Sequence, residues 1–237
     1  MKWSQRTDAG LVRKSNEDSM LVALDLGLLA VADGMGGHLA GEVASRVALE
    51  VLERELRQNG KYRQRPGEAL RNAVGRANKR IYDLAEQNND QKGMGTTITA
   101  CLLDKGALWI AQVGDSRAYL IRDKDISRLT EDHSLVQELY RQGGISLEEM
   151  ANHPRRHVLT RALGAGPAVD VDLFCQEVKA GDRILLATDG LTNLLDDGEI
   201  LMLAGHNDVE KVVGDLVRES LSRGGHDNIT VIMAVVE

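Results

Sequence analysis

Hydrophobic positions along this chain form short apolar runs and longer helical patterns. Runs typical of strands lie at residues 2–8, 18–24, 27–33, 96–103, 107–113, 117–122, 170–177, 183–188 and 229–236. Two long helices are predicted between the third and fourth runs, the second at 68–88, and a third helix is predicted at 209–221. The apolar faces of the first two comprise Leu39, Val43, Val47, Val51 and Leu56, then Leu70, Val74, Ala77, Ile81 and Leu84.

The order of these elements indicates the fold class. Strands do not alternate strictly with helices, as they would in a parallel sheet. The pattern favours an α+β fold in which helices cover the outer faces of packed sheets. Residues 134–160 differ from the rest, because they are polar, mostly helix-like and interrupted by glycine and proline. We interpret them as an excursion on the surface.

Composition and charge restrict the classes of function. The net charge is -7, so no basic stripe can replace the counterions of a nucleic acid, and no nucleic-acid partner is expected. No apolar run approaches the ~18 residues that span a bilayer, and the polar N-terminal stretch has no signal-peptide core. We therefore expect a cytoplasmic monomer without membrane contact. Cys101 and Cys175 stand in apolar contexts and are predicted to be reduced thiols in the core.

The segment LLAVADGMGGHLAGE, residues 28–42, has the strand, glycine-rich loop and helix of a nucleotide-binding turn. The dinucleotide fingerprint fails, because Leu39 stands where its third glycine is needed, and the lysine of a phosphate loop is missing. Asp33 at the end of the strand would repel phosphate unless a cation lay between them. The loop is therefore predicted to hold a metal that in turn holds a phosphate.

Further carboxylates stand at comparable places. Asp115 and Asp189 also end apolar runs, and Asp227 stands just before the last run. If these side chains converge, their oxygen ligands select Mg²⁺ or Mn²⁺ over Zn²⁺, and Gly34, lacking a Cβ, lets its carbonyl approach an ion. Aspartates at strand ends are also common turn and helix-capping residues, so spacing alone leaves both interpretations open.

A series of motifs extends over the whole chain and carries a resemblance. They are GLVRKSNEDS (10–19), VADGMGGH (31–38), GTT (95–97), VGDSRAYL (113–120), LTEDHS (129–134), LTRALG (159–164), LLATDGLT (185–192) and HDNITVI (226–232). In content and order the sequence resembles the metal-dependent protein phosphatases, the PPM or protein phosphatase 2C family, in its short bacterial form.

The resemblance implies one PPM-type domain over residues 1–237, with a flap at about 134–160. Its fold would be an αββα four-layer sandwich of two mostly antiparallel sheets flanked by helices, with two Mn²⁺ or Mg²⁺ ions in the cleft. By the same resemblance, Asp33 bridges the ions, the Gly34 carbonyl binds one, and Asp189 and Asp227 bind the other. A third ion lies near Asp115 in bacterial members, with Asp189 shared.

The resemblance also gives roles to four further residues. Glu17 and Asp18 hold waters on the metals, Arg13 grips the substrate phosphate, and His38 is the general acid. The planar fork of Arg13 suits phosphate because it donates two hydrogen bonds at once. An imidazole five residues beyond the metal-binding aspartate can protonate a departing serine alkoxide.

The function implied by the resemblance is the hydrolysis of phosphoserine and phosphothreonine on proteins by a metal-activated water, which needs no protein nucleophile. His133 and His226 are interpreted as supporting or packing residues. This family often opposes Hanks-type Ser/Thr kinases in bacteria, so such a kinase and its substrates are the implied partners. The alternative is a catalytically weak or inactive binding module on this fold that docks a signalling partner. The intact set of metal and phosphate residues favours the enzyme.

The role of His38 predicts a dependence on the leaving group. Serine alkoxide needs a proton, whereas p-nitrophenolate leaves without one, and general-acid help is worth roughly 10²–10⁴-fold. His38→Gln should therefore slow phosphopeptide hydrolysis far more than p-nitrophenyl phosphate hydrolysis, as measured by kcat on both substrates. Equal losses would mean that His38 is not the general acid.

Overall fold

The computed structural model describes residues 1–36 and 40–237. The strands are β1 (Lys2–Asp8), β2 (Asp18–Ala23), β3 (Leu28–Met35), β4 (Gly95–Thr96), β5 (Ile98–Asp104), β6 (Ala107–Val113), β7 (Arg117–Arg122), β8 (Asp125–Arg128), β9 (Asp172–Glu177), β10 (Arg183–Ala187) and β11 (Ile229–Val235). The α-helices are α1 (Ala40–Gln58), α2 (Pro66–Gln87), α3 (Leu135–Arg141), α4 (Leu147–Asn152), α5 (Asp189–Thr192), α6 (Asp197–Leu203) and α7 (Val209–Ser222). None of the helices in these two ranges combines the length and apolarity needed to cross a membrane.

The strands form two antiparallel sheets. One has the order β1-β11-β10-β7-β8, and the other has the order β2-β3-β5-β6-β9, with the short β4 paired to β3. The first and last strands of the chain pair along their whole length, from Lys2 opposite Val235 to Asp8 opposite Ile229. This pairing brings the loop after β1 and the turn before β11 to the same end of the molecule.

The side chains of β3 show how the layers are built. Leu28 and Ala30 belong to the apolar cluster under α1 and α2, whereas Leu29 and Val31 belong to the cluster shared with the other sheet. Alternate residues of a strand point to opposite faces, so a strand covered on both faces is apolar throughout. A third cluster joins the outer face of the sheet that contains β7, β10 and β11 to α5, α6 and α7. The predicted αββα four-layer sandwich is confirmed.

The predicted face of α1 is correct in the second half of the helix, where Val51 and Leu56 are buried, and is rotated in the first half. Its buried face contains Ala44, Ala48 and Leu52, while Val43 and Val47 are only half-buried. Small side chains on this face allow the helix to lie close to β3, which a valine stripe would prevent. Leu39, the first residue of the predicted stripe, lies outside the described residues. The predicted face of α2 is correct, since Leu70, Val74, Ala77 and Ile81 are buried.

Three short elements were not predicted, namely β8, α5 and α6. Strand β8 has the polar sequence DISR and pairs only with β7 at the sheet edge, so hydrophobic periodicity does not reveal it. The signal for α6 was a capping box between Asp196 and Glu199, and both of its hydrogen bonds form. The core prediction for Cys175 is wrong: this residue is exposed on the edge strand β9, whereas Cys101 is buried.

The polar excursion at 134–160, which we call the flap, carries the short helices α3 and α4. Its two ends meet in an isolated bridge between Ser134 and Leu159. The Leu135 amide donates to the Val158 carbonyl at 2.8 Å, and the Thr160 amide donates to the His133 carbonyl at 2.9 Å. The flap therefore leaves the sandwich and returns at one point, where LTEDHS meets LTRALG.

Candidate active site

A cleft of about 730 Å³ opens at the end of the sandwich where several strands begin or stop. Asp33 lies near the end of β3, Asp115 follows β6, Asp189 follows β10, and Asp227 precedes β11. Seven predicted site residues line the cleft: Arg13, Glu17, Asp33, Gly34, Asp115, Asp189 and Asp227. Aspartates separated by most of the chain are thus neighbours in space.

Two threonines of the GTT motif hold the backbone of Asp33. The Asp33 amide donates to Thr97 Oγ1 at 2.9 Å, and the Asp33 carbonyl accepts from Thr96 Oγ1 at 2.8 Å and the Thr97 amide at 2.9 Å. These contacts fix the backbone of Asp33, and its side chain lines the cleft. Burial raises the pKa of Asp33 well above its ordinary value, and the charges of Asp18 and Asp189 raise it further.

Asp18 lies behind the cleft, opposite Asp33 in the β2–β3 register. Its Oδ2 atom accepts from Thr188 Oγ1 at 2.9 Å and from Thr230 Oγ1 at 2.7 Å, while Oδ1 is buried and finds no hydrogen-bond partner in the described part of the chain. Burial raises the pKa of Asp18 to about 7, against the opposing effect of the two hydroxyls. Asp18 therefore joins β2 to Thr188, which precedes Asp189, and to Thr230 at the start of β11, which follows Asp227.

Asp189 and Asp227 each use one oxygen in local contacts. Asp189 Oδ2 accepts from Asn193 Nδ2 at 3.0 Å, and its buried Oδ1 has no partner among residues 1–36 and 40–237. Burial and then the charge of Asp227 raise the pKa of Asp189. Asp227 Oδ1 accepts from the Asn228 amide at 2.8 Å, and Oδ2 accepts from an Arg13 NH2 group at 2.7 Å. The guanidinium of Arg13 is thus already held at the mouth of the cleft.

The start of α1 lies against the end of β3 at Gly34 and Gly41. A Cβ on Gly34 would lie 2.1 Å from the Gly41 carbonyl oxygen and 2.5 Å from the Glu17 carbonyl oxygen. A Cβ on Gly41 would in turn lie 2.3 Å from Glu17 Oε2. Both glycines are therefore required by close backbone approach. This contact places the Glu17 carboxylate beside the first turn of α1, where the helix dipole favours negative charge.

Asn228 supports the site, although the sequence analysis gave it no role. Its Oδ1 accepts from the Glu17 amide at 2.8 Å, and its Nδ2 donates to the Ala9 and Ser15 carbonyls at 3.0 and 2.9 Å. One side chain therefore holds both ends of the loop that carries Arg13. The position of Asn228 next to Asp227 in the HDN motif was the available signal.

The predicted histidines have different positions. His38 lies outside the described residues. His226 is exposed and lines the cleft, as does His157 from the flap, which was not predicted. His133 is buried away from the cleft and contacts Gly114 and Asp172.

Asp115 completes the acidic side of the cleft. Burial raises the pKa of its carboxyl to about 8, and the charges of Asp189 and Asp132 add to this effect. Its neighbour Gly114 has a φ of 102°, a backbone conformation that favours glycine. The predicted proximity of Asp115 to Asp189 is thus present in the structure.

The donors in the cleft suit a hard divalent cation. In residues 1–36 and 40–237, no group of three His, Cys, Asp or Glu side chains is arranged to hold an ion. Mn²⁺ and Mg²⁺ also take carbonyl and water oxygens, so fewer side chains per ion suffice. Within the described residues, Oδ1 of Asp189 is buried without a partner, and burial and the neighbouring carboxylates raise the pKa of Asp33. A cation would supply compensating positive charge.

The fold thus has two antiparallel sheets between helical layers, with an acidic cleft at one end, and comparison with known proteins gives its class. The profile described as protein phosphatase 2C matches residues 12–223. The chain belongs to this family, as the motifs predicted.

Individual relatives match nearly the whole chain. The serine/threonine phosphatase stp of Listeria welshimeri is 40% identical over 234 residues, which are 96% of this chain and 93% of the relative. The crystal structure of the serine/threonine phosphatase PstP/Ppp of Mycobacterium tuberculosis has a TM-score of 0.92 and 39% identity, and covers 100% of this chain and 98% of its own. A PstP catalytic domain in complex with two manganese ions has a TM-score of 0.89 and 38% identity, with coverage of 100% and 98%.

The buried Asp18 predicts how the stability of the metal-free protein depends on pH. Its pKa is raised from 3.8 to about 7 on folding, so unfolding releases a proton in this window and the free energy of unfolding falls as pH rises through it. Asp18→Asn cannot ionise and should reduce this fall. We expect urea unfolding in EDTA to show the variant gaining stability relative to wild type from pH 4.5 to pH 8.

The matched control is Asp90→Asn, because Asp90 is exposed and is not one of the residues that line the cleft. This substitution should leave the slope of stability against pH unchanged. A slope for Asp18→Asn equal to that of wild type would show that Asp18 is not a source of the pH dependence.

Proposed function

We propose that this chain is a protein phosphatase that hydrolyses phosphoserine and phosphothreonine with the help of two Mn²⁺ or Mg²⁺ ions. The observation that carries the proposal is the convergence of Asp33, Asp189 and Asp227 on one cleft, with Arg13 bound to its rim. The relatives named as serine/threonine phosphatases, and the PstP structure with two manganese ions, support it.

In this proposal, Asp33, the Gly34 carbonyl, Asp189 and Asp227 would hold the two ions. The bound ions would neutralise charge on the phosphate and lower the pKa of water, so that a nucleophile would be available at neutral pH. Glu17 and Asp18 hold and orient water near these ligands. Asp115 is proposed to serve a third ion together with Asp189.

Arg13 is proposed to bind the substrate phosphate. One NH2 group donates to Asp227, and the side chain is 54% exposed, so the other guanidinium N–H groups can reach a phosphate in the cleft. The contact with Asp227 orients the fork before the substrate arrives, which lowers the entropy that binding must overcome. Replacement by lysine would keep the charge but lose the bidentate geometry.

Proton delivery to the leaving group remains assigned to His38. The proposal rests on its place in the VADGMGGH motif, five residues after Asp33. A protonated imidazole there would donate to the seryl or threonyl oxygen as the phosphorus–oxygen bond breaks. The attacking water gives up its proton and the leaving alkoxide gains one, so the reaction is balanced without a covalent intermediate on the protein.

The wider context is also a proposal. We infer that the substrates are phosphoproteins of a Hanks-type Ser/Thr kinase, that residues 1–237 act as one domain, and that the enzyme works as a cytoplasmic monomer. The family resemblance supports these inferences. The flap is proposed to meet protein substrates, because its residues His157 and Leu159 line the cleft.

The alternative of an inactive binding module requires the cleft to dock a partner without turnover. Metal-dependent turnover of a phosphopeptide would exclude it. We therefore expect no phosphate release in EDTA, and restoration of activity by Mn²⁺ or Mg²⁺.

The metal assignment predicts a specific loss in Asp189→Asn. An amide oxygen is a weaker, neutral ligand, so kcat in saturating Mn²⁺ should fall about 10²-fold or more on both phosphopeptide and p-nitrophenyl phosphate. Asp90→Asn, the same chemical change at an exposed site, should retain wild-type kinetics. Isothermal titration should show weaker Mn²⁺ binding by Asp189→Asn alone. Near-normal turnover by this variant would contradict the two-ion proposal.

A further inference from the structure

The Asp115 carboxylate is presented by a tight turn at residues 114–116. A Cβ on Gly114 would lie 2.5 Å from Thr97 Cγ2, so the turn is pressed against β5 and its neighbouring segment. Side chains of the sheet hold its carbonyls. Gln112 Nε2 donates to the Gly114 and Ser116 carbonyls at 2.9 and 2.8 Å, and Thr99 Oγ1 donates to the Ser116 carbonyl at 2.9 Å. The direction of the intervening Asp115 therefore depends on these contacts.

The hydrogen-bond partner of the Gly114 amide is His133, a residue outside the strands. The Gly114 amide donates to Nδ1 of His133 at 3.1 Å, and the His133 amide donates back to the Gly114 carbonyl at 2.9 Å. Both residues are buried, so water cannot replace the imidazole as an acceptor. A buried amide that loses its hydrogen-bond partner destabilises the conformation that buries it. His133 is thus the acceptor that allows the Gly114 amide to stay in this conformation.

These contacts define the tautomer of His133. Since the Gly114 N–H is a donor, Nδ1 must be unprotonated, and the proton lies on Nε2. Nε2 stands 3.2 Å from Asp172 Oδ2, which accepts this proton in a hydrogen bond. Arg161 Nη1 lies 3.5 Å from Nε2 and makes its shorter contact to the other oxygen of Asp172, to which it donates at 2.7 Å. The ring, with its proton on Nε2, is therefore set between the Gly114 amide on one side and the Asp172 carboxylate on the other.

We propose that His133 is a positioning residue, whose neutral imidazole fixes the Gly114 amide and so directs the Asp115 carboxylate into the cleft. The inference rests on the proposed function, because it takes Asp115 as a working ligand of the cleft. Imidazole suits this place because its two nitrogens can accept on one side and donate on the other. His133 also stands at the base of the flap, where its carbonyl accepts from the Thr160 amide.

The competing interpretation is that His133 only fills space beneath the turn. The two interpretations differ in what the ring nitrogens do, so the first measurement uses the unmodified protein. In long-range ¹H–¹⁵N spectra, His133 should show an unprotonated Nδ1 and a protonated Nε2. A scalar coupling across the hydrogen bond should join Nδ1 to the Gly114 amide nitrogen. A protonated Nδ1, or a Gly114 amide without this coupling, would overturn the proposal.

Two variants distinguish the roles of Nδ1 and Nε2 of His133. The oxygen of His133→Asn can take the place of Nδ1 and accept from Gly114, whereas His133→Gln reaches toward Asp172 and leaves the Gly114 amide without an acceptor. Loss of a group that orients a ligand typically costs 10–100-fold in metal affinity or activity. We expect His133→Gln to lower kcat on phosphopeptide about tenfold at unchanged KM, and His133→Asn to remain within about threefold of wild type.

Amide exchange gives a readout that does not depend on activity. The Gly114 amide should exchange faster in His133→Gln than in His133→Asn, with both variants folded by circular dichroism. Equal exchange and equal kinetics in the two variants would mean a space-filling role. If wild-type protein has no phosphatase activity at all, the proposed function fails, while the spectra and exchange rates still decide the role of His133.

Discussion

The mutual repulsion of carboxylates within one cleft is the constraint on which the rest of the structure depends. Asp33, Asp115 and Asp189 line the cleft, Asp18 lies directly behind it, and burial raises the pKa of each. A fold that gathers these groups needs compensating stability from other parts of the molecule. In the two-sheet sandwich, three apolar clusters supply it. The acidic end is tolerable because a divalent cation removes the repulsion when it binds. Stability and metal binding are therefore coupled in this protein.

Neutral donors, rather than cations, hold the acidic residues in place. Hydroxyls of Thr188 and Thr230 bind the Asp18 carboxylate, and threonines at 96 and 97 bind the backbone of Asp33. Such donors orient a carboxylate without neutralising it, so its charge stays available for a metal. Arg13 is the exception, and its exposed guanidinium remains accessible to a phosphate. The scaffold thus preserves negative charge inside the cleft and places positive charge at its rim.

Sequence patterns predicted the strands and the strand-end aspartates because these follow from local periodicity. They did not predict which residues support the site. Thr188 and Asp18 are 170 residues apart in sequence. Their contact depends on how the strands are paired, and such a contact leaves no local pattern in the sequence. The sequence explains Gly34 only by the close approach of its carbonyl to a metal. The structure gives a second reason, because a Cβ on Gly34 would overlap the Gly41 carbonyl. The exposed Cys175 was mispredicted because an apolar context does not distinguish an edge strand from a central one.

The central claim is that this acidic cleft is a centre for two divalent ions. Anomalous diffraction from crystals grown with Mn²⁺, recorded on both sides of the manganese absorption edge, tests it most directly. The account predicts two strong peaks in the cleft that disappear below the edge, both adjacent to Asp33, with one also adjacent to Asp189 and Asp227. A cleft without manganese peaks at Asp33, in crystals of protein that is active with Mn²⁺, would contradict the account.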